Sequence, residues 1–532
     1  MCKKLSMVFI ICMLAFGLAL PLSTTAKTSQ PTEISDPTPH NQSELNFSIT
    51  GKANNGNTET PGEWYSGETP PNLDPNNPVL LFVPGLNNVA QIFWTDNDMY
   101  QTAYDAGYQT AFIQLYDAGG ASADMWDNGA LLAGKIAEIS NHFGGKKITV
   151  VAYSKGGVDT QTALTYYDAW RYVDNVITLS SPHHGSQLAD LAYSSGAGWL
   201  ANLLGAQGDG TYALQMGNMA NFRSQIDNEP RAYHNHYYTL GGTSWGSVFS
   251  STWFGGVYLS QYGANDGVVT AASSALPGGQ QISIGDWNHT SIRSGITFPI
   301  FLPYLFNSTS YGSPTKQIMD IVDKNTPSFN HWVDGGPLNT DKANNITITV
   351  ENDVNNLSLN LMTSNYLADI KLVSPSGKIT TPTMKSTKLN DGIFLGAIQH
   401  VILLDKPESG EWSLQLTAKE KDAYLLVATF DSLTKLAYRS NTRIVETNEM
   451  IYQLQANSHS VEENSLKATY EITQSNNPSN KKNFTVQGTP NLSQLIPFHN
   501  RDEVYNITID VEGRTKSGEK FKRTIIDSVY VK

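Results

Sequence analysis

With 532 residues the chain is too long for one compact domain, and two to four domains are expected. A hydrophobic content of 40% supplies ordinary cores, while a net charge of −13 opposes binding to nucleic acid or to anionic membrane surfaces. Only two cysteines occur, Cys2 and Cys12, both close to the N-terminus, so the rest of the chain is without disulfide or thiol chemistry.

Lys3 and Lys4, the apolar run from Met7 to Leu20 and the small residues Thr24-Thr25-Ala26 have the form of a signal peptide over residues 1–26. The run is short for a membrane span, and neither cysteine sits in a lipoprotein cleavage pattern, so a secreted, extracellular protein is expected. Without the leader, 33 basic residues face 48 acidic ones, a net charge of −15. Residues 27–77, rich in Asn, Thr, Pro and Gly, read as a linker that becomes ordered near Trp64 and Tyr65.

The pattern then changes. Pro78 to Val83 is a continuous apolar run, suited to a strand buried on both faces of a parallel sheet. A second candidate strand covers Gln109 to Leu115. Leu132, Ile136, Ile139 and Phe143 recur at helical spacing before Gly144-Gly145. Lys147 to Ala152 gives another buried strand, a helix starts near Gly156, and Val173 to Leu179 is strand again. This alternation predicts an α/β domain with a mostly parallel sheet over 78–330. Beyond it the period falls to two, at Ile346, Ile348 and Val350, at Leu357, Leu359 and Leu361, from Ser413 to Leu416 and from Tyr505 to Val511. One or two all-β sandwiches follow from this, over 338–438 and 441–532.

Chemistry concentrates at Ala152-Tyr153-Ser154-Lys155-Gly156-Gly157, between a buried strand and a helix. It fits G-x-S-x-G with Ala in the first place, a pattern that exposes a serine hydroxyl on a sharp turn and needs small neighbours there. A hydroxyl is a poor nucleophile, so a base and an orienting acid are required. Asp266, in Asn265-Asp266-Gly267, and His289, in Trp287-Asn288-His289, follow the serine in the order acid then histidine. In isolation each has a plainer reading, as an Asx-turn residue and a loop histidine. His142, His183, His184, His234 and His236 all precede Asp266. Asp286, the rival acid, is only three residues from His289, and Asp159, in the helix after the serine, should point elsewhere. Pro84-Gly85-Leu86 follows the first strong strand, so the Leu86 and Lys155 N–H groups are the candidate oxyanion donors. The Lys155 side chain reads as a solvated charge or a helix-face residue, with no catalytic role.

Together these residues resemble the secreted bacterial lipases of the α/β-hydrolase superfamily, over roughly Pro78 to Pro303. The likeness also includes Ser180-Ser181-Pro182-His183-His184-Gly185-Ser186, similar to a Thr-Pro-His-x-Gly loop of those lipases. Two departures stand out. Pro84 replaces the usual His of the oxyanion loop, and Ser291 stands where some members place a calcium-binding acid, so no metal and no cofactor is expected. The resemblance implies a serine hydrolase that cleaves carboxylic esters of triacylglycerol type, its substrate a lipid or other ester met at an interface. Extracellular polyester depolymerases share much of the pattern, and in that alternative the β domains adsorb to a surface. A third reading is a surface-binding protein with a vestigial hydrolase domain. Between Leu188 and Asn228, Trp199, Leu200, Leu203 and Leu204 form an apolar cluster that fits either a lid or a helix packed permanently on the domain.

Overall fold

The computed structural model describes residues 34–40, 55–248, 250–306, 328–340, 342–382, 386–440, 442–456, 459–488 and 491–532, so the signal-peptide reading lies outside it. In chain order, Thr38–His40 (β1), Trp64–Ser66 (β2), Val79–Val83 (β3), Thr110–Ile113 (β4), Ile148–Tyr153 (β5), Val173–Leu179 (β6), His236–Gly242 (β7) and Gln280–Gly285 (β8) build one sheet. Their spatial order is β1-β2-β4-β3-β5-β6-β7-β8. From β4 across to β8 every neighbouring pair is parallel, whereas β1 and β2 add antiparallel at one edge. The apolar runs are the central strands because both faces are covered. Helix Met125–His142 (α1) lays Leu132, Ile136 and Ile139 against Val79, Leu81, Val83 and Val150. Asp124 caps α1 by accepting from the Trp126 and Asp127 N–H groups at 2.8 and 2.9 Å. Helix Gly156–Tyr166 (α2) leaves the end of β5.

Within residues 55–77, expected as a linker partly ordered near Trp64 and Tyr65, packing on this domain extends back to the Asn-rich stretch at 55–57, while 71–77 stay largely exposed. Trp64 is buried and donates its indole N–H to Glu138 Oε1 at 2.8 Å. The Asn-rich stretch before it works as a set of amide clamps. Asn55 donates to the Asp117 carbonyl at 2.7 Å and Asn57 to the Asn87 carbonyl at 2.9 Å. Polar composition suggested solvent here, but short side-chain amides also serve to satisfy loop backbone.

The C-terminal region forms two sandwiches whose strands pair antiparallel, except that Ile444–Val445 runs parallel to Lys520–Val531. In the first, His331–Leu338, Asp422–Asp431, Asn356–Thr363, Ile398–Asp405 and Ser386–Lys388 face Asn344–Val350, Gly410–Thr417, Asp369–Val373 and Ile379–Thr380. Alternating residues such as Ile346, Ile348, Leu357, Leu359 and Leu361 fill the space between the sheets. In the second, Leu436–Ser440 pairs on one side with Glu449–Ala456 and on the other with Ser328–Phe329. The second core therefore takes in a segment from ahead of the first sandwich.

Helices Gln187–Ala192, Gly198–Leu203, Asp209–Ala213 and Met216–Ile226 lie between the hydrolase sheet and the sandwiches. A single apolar cluster joins Leu188, Leu191, Leu200, Leu214 and Phe254 to Val333, Leu389, Ile393, Phe394, Leu425 and Ile526. The apolar cluster at 199–204, read as either a lid or a packed helix, is thus split. Leu200 is buried under the β region, while Trp199 and Leu203 face solvent. Polar bonds seal the same contact: the Gly217 N–H donates to Ser528 Oγ at 2.8 Å, and Asn506 Nδ2 donates to the Asp190 carbonyl at 2.8 Å.

Candidate active site

Strand β5 ends at Tyr153, α2 begins at Gly156, and Ser154 turns between them with φ +53°. A left-handed serine costs on the order of 1 kcal/mol, so its surroundings must enforce it. They do. Its N–H donates to the Leu179 carbonyl at 2.9 Å, and its carbonyl accepts from the Gly157 N–H at 3.1 Å. The opposing loop comes so close that a Cβ on Gly85 would lie 2.6 Å from Ser154 Cβ, which only glycine avoids.

The acid and the histidine arrive from separate loops. Asp266 is fully buried, and its Oδ1 accepts from the Val268 and Val269 N–H groups at 2.9 and 2.8 Å. Its backbone carbonyl accepts the His289 N–H at 2.9 Å, so the two residues are tied by main chain as well as side chain. His289 Nδ1 lies 2.6 Å from Asp266 Oδ2 and its Nε2 lies 3.1 Å from Ser154 Oγ. An ionised carboxylate only accepts, which puts the ring proton on Nδ1 and leaves Nε2 to accept from the serine hydroxyl. The structure thus brings Ser154, Asp266 and His289 into one hydrogen-bonded row. Asp286, by contrast, is exposed just after β8.

The loop carrying Leu86 owes its shape to side chains absent from the expected pattern. The Asn87 N–H donates to Asp117 Oδ1 at 2.9 Å with Asn87 at φ +57°, and Asn88 Nδ2 donates to the Leu86 carbonyl at 2.7 Å. Asp117 Oδ2 accepts from Asn128 Nδ2 at 2.8 Å, which also reaches Asp159 Oδ2 at 3.1 Å. Asp159 in turn holds Lys155 Nζ at 2.7 and 3.0 Å. The solvated reading of Lys155 is therefore wrong. Its side chain is 0% exposed, because an ion pair one helical turn long folds it under the elbow. Burial raises the Asp159 carboxyl to about 7 against the opposing pull of Lys155, and burial likewise raises Asp117. This network joins the loop of one candidate oxyanion donor, Leu86, to the residue that supplies the other, Lys155.

No protein-family model matches the chain, and no curated protein does. Among solved structures, the chain is similar to the Bacillus licheniformis lipase BlEst2 in its propeptide form, with 34% identity, a TM-score of 0.74, and coverage of 89% of this chain and 98% of that one. This chain belongs to the lipase/esterase family of the α/β-hydrolase superfamily. The mature form of the same Bacillus licheniformis lipase shares 47% identity over 47% of this chain and 100% of its own, with a TM-score of 0.44. Lipases and esterases of this kind are carboxylic ester hydrolases, and so is this protein.

In this lipase/esterase the cleft is occupied by its own C-terminal region. The connection between strands Ser386–Lys388 and Ile398–Asp405 turns tightly, with Leu389 and Ala397 bonded N–H to carbonyl at 2.8 Å. Its Asp391, Gly392 and Ile393 line one cavity with Ser154, His289, Leu86, Leu214 and Val268. About 10 Å³ remains there, room for one water at most. Ile393 and Phe394 are 4% and 3% exposed, and the Phe394 ring meets Phe254 edge-on at 5.9 Å. Asp391 accepts from Arg293 Nη1 at 2.6 Å, Asn88 Nδ2 at 3.1 Å and the Tyr153 hydroxyl at 3.3 Å. Burial works against its charge, but Arg293 and His289 outweigh it and hold the carboxyl below its ordinary range.

The other histidines stay out of the site. His183 is buried with Nε2 3.2 Å from Thr178 Oγ1, and burial keeps its ring far from protonation. Burial also lowers His184, to about 4. His142 packs edge-on against Trp64, and His234 against Trp170. His236 opens β7. Ser291 closes the turn around His289 by accepting the Asn288 N–H at 3.0 Å.

Proposed function

We propose that this ester hydrolase is a secreted serine enzyme working through an acyl-enzyme, with Ser154 as nucleophile, His289 as base and Asp266 as orienting acid. The Asp266–His289–Ser154 row, at 2.6 and 3.1 Å and set behind a strained serine, carries the reading. His289 Nε2 takes the Ser154 proton as Oγ attacks the ester carbonyl, and Asp266 stabilises the imidazolium. The Leu86 and Lys155 N–H groups receive the oxyanion, aided by the N-terminus of α2. The imidazolium then protonates the departing alcohol, and water repeats the sequence on the acyl-enzyme. An apolar cleft lined by Leu86, Leu214 and Val268 supports a lipid-like acyl group as substrate. A complete row argues against a vestigial site.

The β region is read as a cover over the cleft rather than an adsorption module. The filled cleft supports this, and the similar Bacillus licheniformis lipase, matched through most of this chain, was solved in a propeptide form. Cleavage within residues 307–327 and removal of the C-terminal part is expected to start hydrolysis of nitrophenyl butanoate and labelling of Ser154 by a fluorophosphonate. A separated hydrolase domain that folds but does neither would overturn the proposal.

A further inference from the structure

Beside the Asp266–His289–Ser154 row lies a second arrangement that the proton transfers proposed above do not involve. Arg293 stands four residues after His289, and its guanidinium lies over the Tyr153 ring at 4.9 Å. That ring is itself 4.9 Å from the His289 imidazole. Arg293 Nη1 donates to the Tyr153 hydroxyl at 2.8 Å, which orients the hydroxyl toward the same point as the guanidinium. Asn88, on the oxyanion loop, aims its amide there too. All three are largely buried, and all three converge on one carboxylate, that of Asp391, whose Oδ1 also accepts the Gly392 N–H at 2.7 Å. Arg293 Nε, buried, has no partner among the described residues, so the guanidinium still has a donor to spend.

Arg293 meets the cleft through Asp391, which lines it, and a buried guanidinium is costly unless an anion answers it. In the covered chain Asp391 is that anion. When the turn withdraws, the hydrolase side of the pair stays behind with its donors already aimed. The direction of the reaction says which part of an ester meets them. The imidazolium hands its proton to the departing alcohol, so the alcohol portion lies on the His289 side, where Tyr153 and Arg293 stand. The acyl portion takes the opposite, apolar side, where Ile393 and Phe394 now sit beside Leu86, Leu214 and Phe254.

We infer that Arg293, Tyr153 and Asn88 form a carboxylate-binding subsite for the alcohol portion of the substrate, selecting esters of apolar acids with carboxylate-bearing alcohols. This rests on the ester-hydrolase reading above and specifies its substrate. Asp391 then stands in for the substrate's own carboxylate.

The test uses the full chain with the subsite vacated, Asp391→Ala with Ile393→Ala and Phe394→Ala. Calorimetric titration compares 3-hydroxy-4-nitrobenzoate with 2-nitrophenol, the same phenol without the carboxylate. The carboxylate compound is expected to bind about tenfold tighter or better, as charge-assisted bonds to a buried guanidinium imply. Arg293→Gln in the same background should erase that difference. Equal binding of the two compounds, or a difference that survives Arg293→Gln, would overturn the subsite and leave an interdomain latch only. In parallel, kcat/KM is measured for 3-butanoyloxy-4-nitrobenzoate and 2-nitrophenyl butanoate. The charged ester should be favoured about tenfold or more, with Arg293→Gln removing the preference. Turnover of the neutral ester without preference for the charged one overturns the substrate assignment alone. Tight binding without turnover of either ester leaves the subsite standing and counts against the catalytic reading.

Discussion

Truncating the two apolar residues of the turn in the cleft, Ile393→Ala and Phe394→Ala together, should open the active site of the intact chain. Both side chains are almost fully buried, and they pack on Leu86, Leu214 and Phe254 of the hydrolase domain. Truncations of this kind cost about 2–5 kcal/mol for Ile and about 3–5 kcal/mol for Phe. The residues are neighbours, so the effects do not add, and part of the loss falls on the sandwich itself. About 4 kcal/mol is a reasonable share for docking of the turn. At 1.4 kcal/mol per factor of ten, that raises the open fraction roughly a thousandfold. The assay is the second-order rate of Ser154 labelling by a fluorophosphonate in the uncleaved chain, with circular dichroism confirming that the sandwiches are folded. An increase of at least about a hundredfold is expected, allowing for the share taken by the sandwich. A folded double variant labelled within about threefold of the parent would refute the turn as the barrier.

In the separated hydrolase domain, Asp266→Asn should lower kcat for nitrophenyl butanoate by about three to four orders of magnitude while Asp286→Asn leaves it unchanged, since only the first meets the imidazole. Equal effects would displace Asp266 as the orienting acid. Lys155→Met strands two buried carboxyls, Asp159 and Asp117, and should cost about 3–5 kcal/mol of stability, read as a lower denaturation midpoint. A loss below about 1 kcal/mol would mean that the buried network bears little of the load. The interface carboxyl Asp190 is raised to about 7, first by burial and then by Asp527, so the assembled chain binds a proton there that the unfolded chain releases near pH 4. Its contribution is present below pH 4 and is lost as pH rises to about 7. Asp190→Asn should flatten that part of the stability profile, and an unchanged slope would assign it to other groups.

Ser154, Asp266 and His289, which the structure brings into one hydrogen-bonded row, were legible as candidates because each sits in a local pattern. Ser154 needs small neighbours on a strand-to-helix turn, Asp266 needs a turn that bends its carboxylate onto backbone N–H groups, and His289 follows the last strand of the sheet. The central strands were legible for a similar reason, since burial on both faces leaves an unbroken apolar run. Asp117 and Asn128 were not. A buried polar partner carries no periodicity, and only the fold brings residue 117 beneath the loop at 87. Lys155 misled because a lysine after the nucleophile resembles any helix-face charge until Asp159, one turn on, is seen to be buried with it. Asp391 lies 98 residues from Arg293, in a β region whose alternating pattern predicts sheets but not what those sheets cover. The amide-rich segment before Trp64 failed for the opposite reason, because composition that suits a solvated linker also suits a clamp.

In the proposed mechanism three distant side chains act as one machine at Ser154. Its most direct test is mass spectrometry of the fluorophosphonate-treated, separated hydrolase domain, alongside Ser154→Ala and His289→Ala. One adduct is expected, on the peptide carrying Ser154, absent from the first variant and formed at least about a thousandfold more slowly in the second. An adduct on another serine, or full labelling of Ser154 without His289, would contradict it.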